Sequence, residues 1–137
     1  MKKMVGLFAI LSISLFAEFK TIGLEEFTKL QAKGVLVIDI RTPGEWKQTG
    51  IIKGAHKMMF FTPKGDADIS NWFFELGHLV KSKKEPIILY CAHANRTKSL
   101  GQGLTQMGFE NIYELKGGIE NGWIKAGKKT IEKVAKK

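Results

Sequence analysis

Cysteine, histidine and proline are scarce in this chain, whose 137 residues include one cysteine, three histidines and three prolines. A single cysteine excludes an internal disulfide framework. The histidines show no metal-ligand spacing, which argues against a zinc or iron site. No repeat or low-complexity segment interrupts residues 18–124, and the length suits one domain with a hydrophobic core.

Acidic residues are also few, 13 against 22 basic ones, which gives a formal net charge of +9. Such a charge is compatible with binding to nucleic acid or to an anionic membrane. The sequence carries no recognisable nucleic-acid-binding motif, so we expect no nucleic-acid partner. Part of the charge belongs to a basic C-terminal tail, residues 127–137, which we interpret as a solvated helix end. Binding of this tail to an anionic membrane is the alternative.

Residues 1–17 match the pattern of a secretory signal peptide: two lysines, an uncharged and mostly apolar run over 4–16, and the small Ala17. The run is shorter than the roughly 20 residues of a permanent membrane span. Leu15 stands where cleavage favours a small residue, and a buried N-terminal helix is the alternative. We expect export to the periplasm with cleavage near Ala17. An unpaired thiol in that oxidising compartment requires a chemical reason.

Strand and helix patterns alternate over residues 18–126, which we expect to form the folded domain. Continuous apolar runs at 35–40 and 86–91 are typical of strands covered on both faces. Helical spacing before the next strand predicts that Met107 points inward. The alternation predicts an α/β fold, an open and mainly parallel sheet with helices on both faces, in three layers. Ligands bind beyond the carboxyl ends of such strands, where Cys91 lies.

The residues after Cys91 form a candidate active-site loop. Backbone N–H groups of residues 92–96 can surround the sulfur, and the following helix directs its positive N-terminal end towards it. Arg96 adds a permanent positive charge. These three effects stabilise the thiolate, which is the nucleophilic form of cysteine. We therefore expect catalysis by Cys91 and substrate binding by the residues that follow it: Ala92, His93, Ala94, Asn95, Arg96 and Thr97.

The spacing between Cys91 and Arg96 separates two reaction types. Four residues lie between them, whereas cysteine phosphatases have five, in a wider ring that holds a tetrahedral phosphate. The shorter loop leaves too little room for phosphate beside the thiol. It suits a single extra sulfur atom carried on the cysteine.

Three further stretches accompany this loop in order along the chain: residues 37–46, residues 50–55, and residues 115–119 followed by Trp123. Together with the Cys91 loop they resemble the rhodanese-like family of single-domain sulfurtransferases. The resemblance implies that Cys91 attacks a small anionic donor, such as thiosulfate or polysulfide, and carries its sulfane sulfur as a persulfide to a thiophilic or protein acceptor. It implies no metal or organic cofactor, and we expect a monomer. A non-catalytic sulfide-sensing or partner-binding module is the alternative, because fold does not fix function.

A few positions in these motifs carry separate expectations. Ala94 stands where the family commonly has glycine, so a left-handed backbone there would cost roughly 1 kcal/mol. Thr97 replaces serine, and we expect its hydroxyl to cap the helix. Asp39 and Arg41 either touch substrate or, as we prefer, form an ion-pair network that supports the loop ends. His93 either acts on the sulfur or lies exposed and affects donor preference.

Overall fold

The computed structural model of the protein describes residues 18–136, so the predicted signal peptide lies outside the described residues. Five strands form one sheet in the order β1-β5-β4-β2-β3, and every neighbouring pair is parallel. The strands are β1 (Glu18–Ile22), β2 (Leu36–Asp39), β3 (His56–Lys57), β4 (Ile87–Tyr90) and β5 (Asn111–Leu115). The central strand β4 is buried along its whole length, whereas the edge strand β3 is exposed.

Helices connect the strands and cover both faces of the sheet. They are α1 (Leu24–Ala32), α2 (Pro43–Thr49), α3 (Ile69–Leu79) and α4 (Asn95–Gln106), followed by a π-helix (Ile119–Ile124). One core cluster packs α3 and α4 against one face, and a second packs α1 and the π-helix against the other. The predicted α/β fold with three layers is therefore confirmed.

Helix α4 differs in one respect from the expected packing. Leu100 and Leu104 face the core as its periodicity requires, but Met107 is 49% exposed. The helix ends at Gln106, so Met107 falls outside its periodic face, and Phe109 fills the core there instead. The prediction of an inward Met107 is wrong because it extended the helical period past the last turn.

The basic tail is largely exposed, as expected, but it is not the end of a helix. Ile131 forms an antiparallel bridge with Ile51, with two backbone hydrogen bonds of 2.9 Å. The backbone N–H of Val134 donates to the carbonyl of Lys47 at 2.9 Å, so the tail lies as a strap across the C-terminal end of α2, with a bend at Glu132. Gly50 permits this approach, since a Cβ there would come within 2.5 Å of the Ile131 carbonyl oxygen. Within residues 18–136 no helix is long and apolar enough to cross a bilayer.

Candidate active site

Cys91 follows the last residue of β4 and lies at the carboxyl end of the sheet. Its side chain is 1% exposed and belongs to the core cluster beneath α3 and α4. Its carbonyl oxygen accepts a hydrogen bond from Ile119 at 2.9 Å, and that of Ala92 accepts one from Glu120 at 3.1 Å. The start of the π-helix therefore holds the start of the loop.

The loop turns at Ala94, whose backbone is left-handed, with φ 65° and ψ 17°. This is the conformation that the glycine commonly found there would adopt without strain. For an L-residue it costs about 1–2 kcal/mol. Asn95 then begins α4, so the N-terminus of the helix follows directly on the turn.

Arg96 is held by a carboxylate that the sequence did not assign to the site. Its two terminal nitrogens donate to Glu45 at 2.8 and 2.6 Å, a bidentate pair. Glu45 also closes a capping box with Thr42 at the start of α2. Burial acts to raise the pKa of Glu45, but hydrogen bonds from Arg96 and the Thr42 backbone outweigh it and lower that pKa to about 2. The positive charge that we expected from Arg96 is thus balanced by the Glu45 carboxylate.

A surface cavity of about 610 Å³ opens beside this ion pair. Asn95, Arg96 and Glu45 line one side of it, and the loop at residues 61–65 lines the other. Cys91 does not line the cavity. The Arg96 guanidinium is therefore the positively charged group that faces this cavity.

Thr97 does not cap α4, contrary to our expectation. The capping position is Ala94, which has no side-chain hydrogen bond to the helix, and Thr97 lies within the first turn. Its hydroxyl oxygen is 3.7 Å from Cys91 Sγ, and the hydroxyl donates to Glu114 Oε2 at 2.5 Å. The residue therefore links the sulfur to a buried carboxylate on β5.

Asp39 and Arg41 are almost completely buried, at 0% and 1% exposed. Arg41 donates to Asp39 at 2.8 Å and to the carbonyl of Gly50 at 2.8 Å. The pair therefore ties the end of β2 to the end of α2, which is the supporting arrangement that we preferred. His93 lies elsewhere on the loop, is half-exposed and pairs with Glu120.

The structure adds Glu45, Glu114 and Lys98 to the candidate site. The spacing Thr42-x-x-Glu45 is a capping-box pattern and indicated that Glu45 is held in place. Glu114 is two residues from the buried Ile112, so strand alternation places its side chain on the face of β5 that packs against α3 and α4. An acidic residue within a strand that is covered on both faces was the signal that the sequence offered.

A model of the rhodanese-like domain matches residues 24–126. The chain belongs to this family. The thiosulfate sulfurtransferase GlpE of Pseudomonas entomophila is 31% identical over 109 residues, which cover 76% of this chain and 84% of that protein. The rhodanese-like family assignment from the sequence motifs is thus confirmed.

Solved structures agree with the rhodanese-like fold. A polysulfide-sulfur transferase homodimer from Wolinella succinogenes has a TM-score of 0.61 and 23% identity, covering 83% of this chain and 79% of that one. A rhodanese-related protein from Thermoplasma volcanium has a TM-score of 0.59 and 23% identity, covering 82% and 98% of the two chains. At these identities the likeness concerns the fold alone.

Proposed function

We propose that this protein is a rhodanese-type sulfurtransferase in which Cys91 carries sulfane sulfur from a small anionic donor, such as thiosulfate or polysulfide, to a thiophilic acceptor. The observation that carries the proposal is the position of Cys91 at the carboxyl end of β4, separated from Arg96 by four residues and beside the N-terminus of α4. These features favour a negative charge at the sulfur and at whatever is attached to it.

The proposed reaction has two displacement steps. With thiosulfate, the Cys91 thiolate attacks the outer sulfur, an S–S bond forms on Cys91, and the original S–S bond breaks with sulfite leaving with its electron pair. An acceptor such as cyanide then attacks the terminal sulfur, forms thiocyanate and returns the thiolate. Each step exchanges one bond to sulfur for another, so no redox cofactor is required.

Donor binding at Arg96 would compete with Glu45. Each terminal nitrogen of the Arg96 guanidinium donates one hydrogen bond to Glu45, and both side chains are about three-tenths exposed at the cavity. An anionic donor arriving there competes with the Glu45 carboxylate for the same N–H groups. Glu45→Gln should therefore lower the KM for thiosulfate, because the amide competes less strongly than a carboxylate. An unchanged or higher KM would contradict this role.

The decisive experiment measures the covalent intermediate. Purified, reduced protein incubated with thiosulfate should gain about 32 Da, one sulfur atom, on the peptide that contains Cys91. Cyanide should remove the added mass and release thiocyanate. Cys91→Ser is the matched control, since it keeps the shape of the side chain without the thiol. Absence of an adduct from thiosulfate, polysulfide and persulfide donors alike would refute the proposal.

A non-catalytic sensing or partner-binding role is the second candidate. The observation that favours it is closure of the site, because Cys91 is 1% exposed and Arg96 is already paired. Turnover that is lost in Cys91→Ser supports the enzyme. Absent turnover in the unmodified protein, together with partner binding that survives this substitution, supports the module.

We also propose that the protein is exported to the periplasm and acts as a monomer. The basic and apolar pattern of residues 1–17 supports export. Mass spectrometry of protein recovered from the producing cell should give a mature N-terminus close to residue 18. Light scattering should give the mass of one chain, whereas a doubled mass would match the homodimer described for the polysulfide-sulfur transferase.

A further inference from the structure

We infer that Glu114 accepts the proton of the Cys91 thiol through the hydroxyl of Thr97, and so acts as a positioning residue for the nucleophile. The inference rests on the proposed role of Cys91. It concerns a buried carboxylate that the transfer steps above do not use. Three groups in a row carry it: a thiol, a hydroxyl and a carboxylate, joined by two hydrogen-bond contacts.

The sulfur has one polar side chain within hydrogen-bond reach. Over residues 18–136, the side-chain hydrogen bond of Cys91 Sγ is the contact with Thr97 Oγ1 at 3.7 Å. Because Cys91 is 1% exposed, the resting thiol has almost no contact with solvent. A thiol proton that leaves in this geometry has the Thr97 oxygen as its first acceptor.

The second contact sets the direction of the first. Thr97 donates its hydroxyl hydrogen to Glu114 Oε2 at 2.5 Å, a length typical of a charge-assisted O–H to carboxylate bond. The oxygen of Thr97 therefore presents a lone pair, and not a hydrogen, towards the sulfur. A hydroxyl in this orientation accepts from S–H, and transfer along the row leaves it donating to the thiolate.

Glu114 is the buried end of the row, with a side chain that is 0% exposed. Thr21 on β1 donates to its other oxygen at 2.8 Å, and the half-exposed Lys98 contacts the same oxygen. Lys98 therefore extends from this buried carboxylate to solvent.

Other charged groups lie on the elements packed around the row. Two ion pairs join them: Arg96 of α4 with Glu45 of α2, and Arg41 with Asp39 at the end of β2. Glu120 of the π-helix contacts His93 of the loop. The group contributed by β1 is the uncharged Thr21 hydroxyl.

The proton transfer conserves atoms and charge. The S–H bond of Cys91 breaks and leaves its electron pair on sulfur, while the proton bonds to Thr97 Oγ1. The original hydroxyl proton of Thr97 moves to Glu114, which becomes neutral. The negative charge moves from the buried carboxylate to the sulfur, beside the N-terminus of α4. In this proposal Cys91 and Glu114 share one proton.

A shared proton has a signature in the pH dependence of thiol alkylation. In the unmodified full chain, the rate with iodoacetamide should become independent of pH in the mildly acidic range, where one proton is distributed between the two groups. In Glu114→Gln the rate should instead fall about tenfold for each pH unit, as for an isolated thiol. At pH 5.5 the unmodified protein should react about tenfold faster than this variant.

Matched variants separate the relay from its surroundings. Thr97→Ser keeps the hydroxyl and should keep the plateau, whereas Thr97→Val should lose it. Thr21→Val removes the other hydroxyl on Glu114 and should keep the plateau. A single titration of unit slope in the unmodified protein, or a plateau that persists in Glu114→Gln and Thr97→Val, would overturn the inference. Because alkylation needs no sulfur donor, the result is independent of whether sulfur transfer occurs.

Discussion

Replacing Ala94 with glycine tests the strain at the turn of the active-site loop. Ala94 has φ 65°, whereas its loop neighbour Ala92 is not among the residues with positive φ. Both side chains are nearly buried, at 5% and 8% exposed. Each substitution removes one buried methyl group, which lowers the hydrophobic stabilisation by about 0.8 kcal/mol. Each also increases the conformational freedom of the unfolded chain, by a similar amount at the two positions. The difference between the two variants therefore isolates the left-handed backbone, which we expect to be worth about 1–2 kcal/mol.

The assay is urea unfolding of both variants under reducing conditions, with thermal unfolding as a second measurement. Ala92→Gly should lose about 1–2 kcal/mol of the free energy of unfolding, from the lost methyl and the added chain freedom. Ala94→Gly should stay near the unmodified protein. The two melting temperatures should then differ by roughly 3–10 °C. Equal destabilisation of the two variants would refute the argument, because it would mean that the loop relaxes away from the left-handed conformation at no cost.

Three further predictions concern groups around the same loop. Gly118→Ala places a Cβ within 2.3 Å of the Ala92 carbonyl oxygen and should lower the free energy of unfolding by more than about 2 kcal/mol. Gly65→Ala is the control, because Gly65 also has a positive φ but lies in open space, and it should lower the free energy of unfolding by about 1 kcal/mol. The pKa of Glu45 is about 2 in the fold against 4.5 without it, so its stabilisation is present above pH 4.5 and disappears towards pH 2. In urea unfolding, the free energy of unfolding of the unmodified protein should exceed that of Glu45→Gln by about 1–2 kcal/mol less at pH 3 than at pH 7. A difference that does not change with pH would contradict this. Arg41→Met should cost about 3–5 kcal/mol because it leaves a buried carboxylate unpaired, and the double variant with Asp39→Leu should recover part of that loss.

The local features of this fold could be predicted from the sequence, and the long-range ones could not. Continuous runs of apolar, branched residues indicate buried parallel strands. A cysteine that follows such a run marks the carboxyl end of the sheet, where ligands bind. The pairing of Arg96 with Glu45 joins residues 51 positions apart, and no local pattern specifies it. The strap formed by the tail likewise depends on Ile131 meeting Ile51. The lysines near Ile131 suggested a solvated segment, but the hydrogen bonds of its backbone decide where it lies.

The role of Glu114 shows a third kind of limit. Alternation along β5 places the Glu114 side chain on the same face as Ile112, and a buried acidic side chain is expected to have hydrogen-bond partners. Which partners it finds depends on the register of β5 against β1 and on the rotation of α4. We expected the Thr97 hydroxyl to cap α4, because Thr97 replaces a serine and hydroxyl side chains near the start of a helix commonly cap it. Only the packing of α4 on the sheet brings it to Glu114.

The pairing of β1 with β5 has a consequence for how the protein is made. The first strand of the domain binds the last, with Thr21 opposite Glu114, 93 residues later. Such non-local pairing forms late in folding, because a long loop must close first. A chain that emerges from its N-terminus therefore carries β1 without a partner until nearly the whole domain is available. If residues 1–17 direct export as proposed, the sheet stays incomplete during translocation, because β1 and β5 have not yet paired. The contact between Thr21 and Glu114 then forms at its closure.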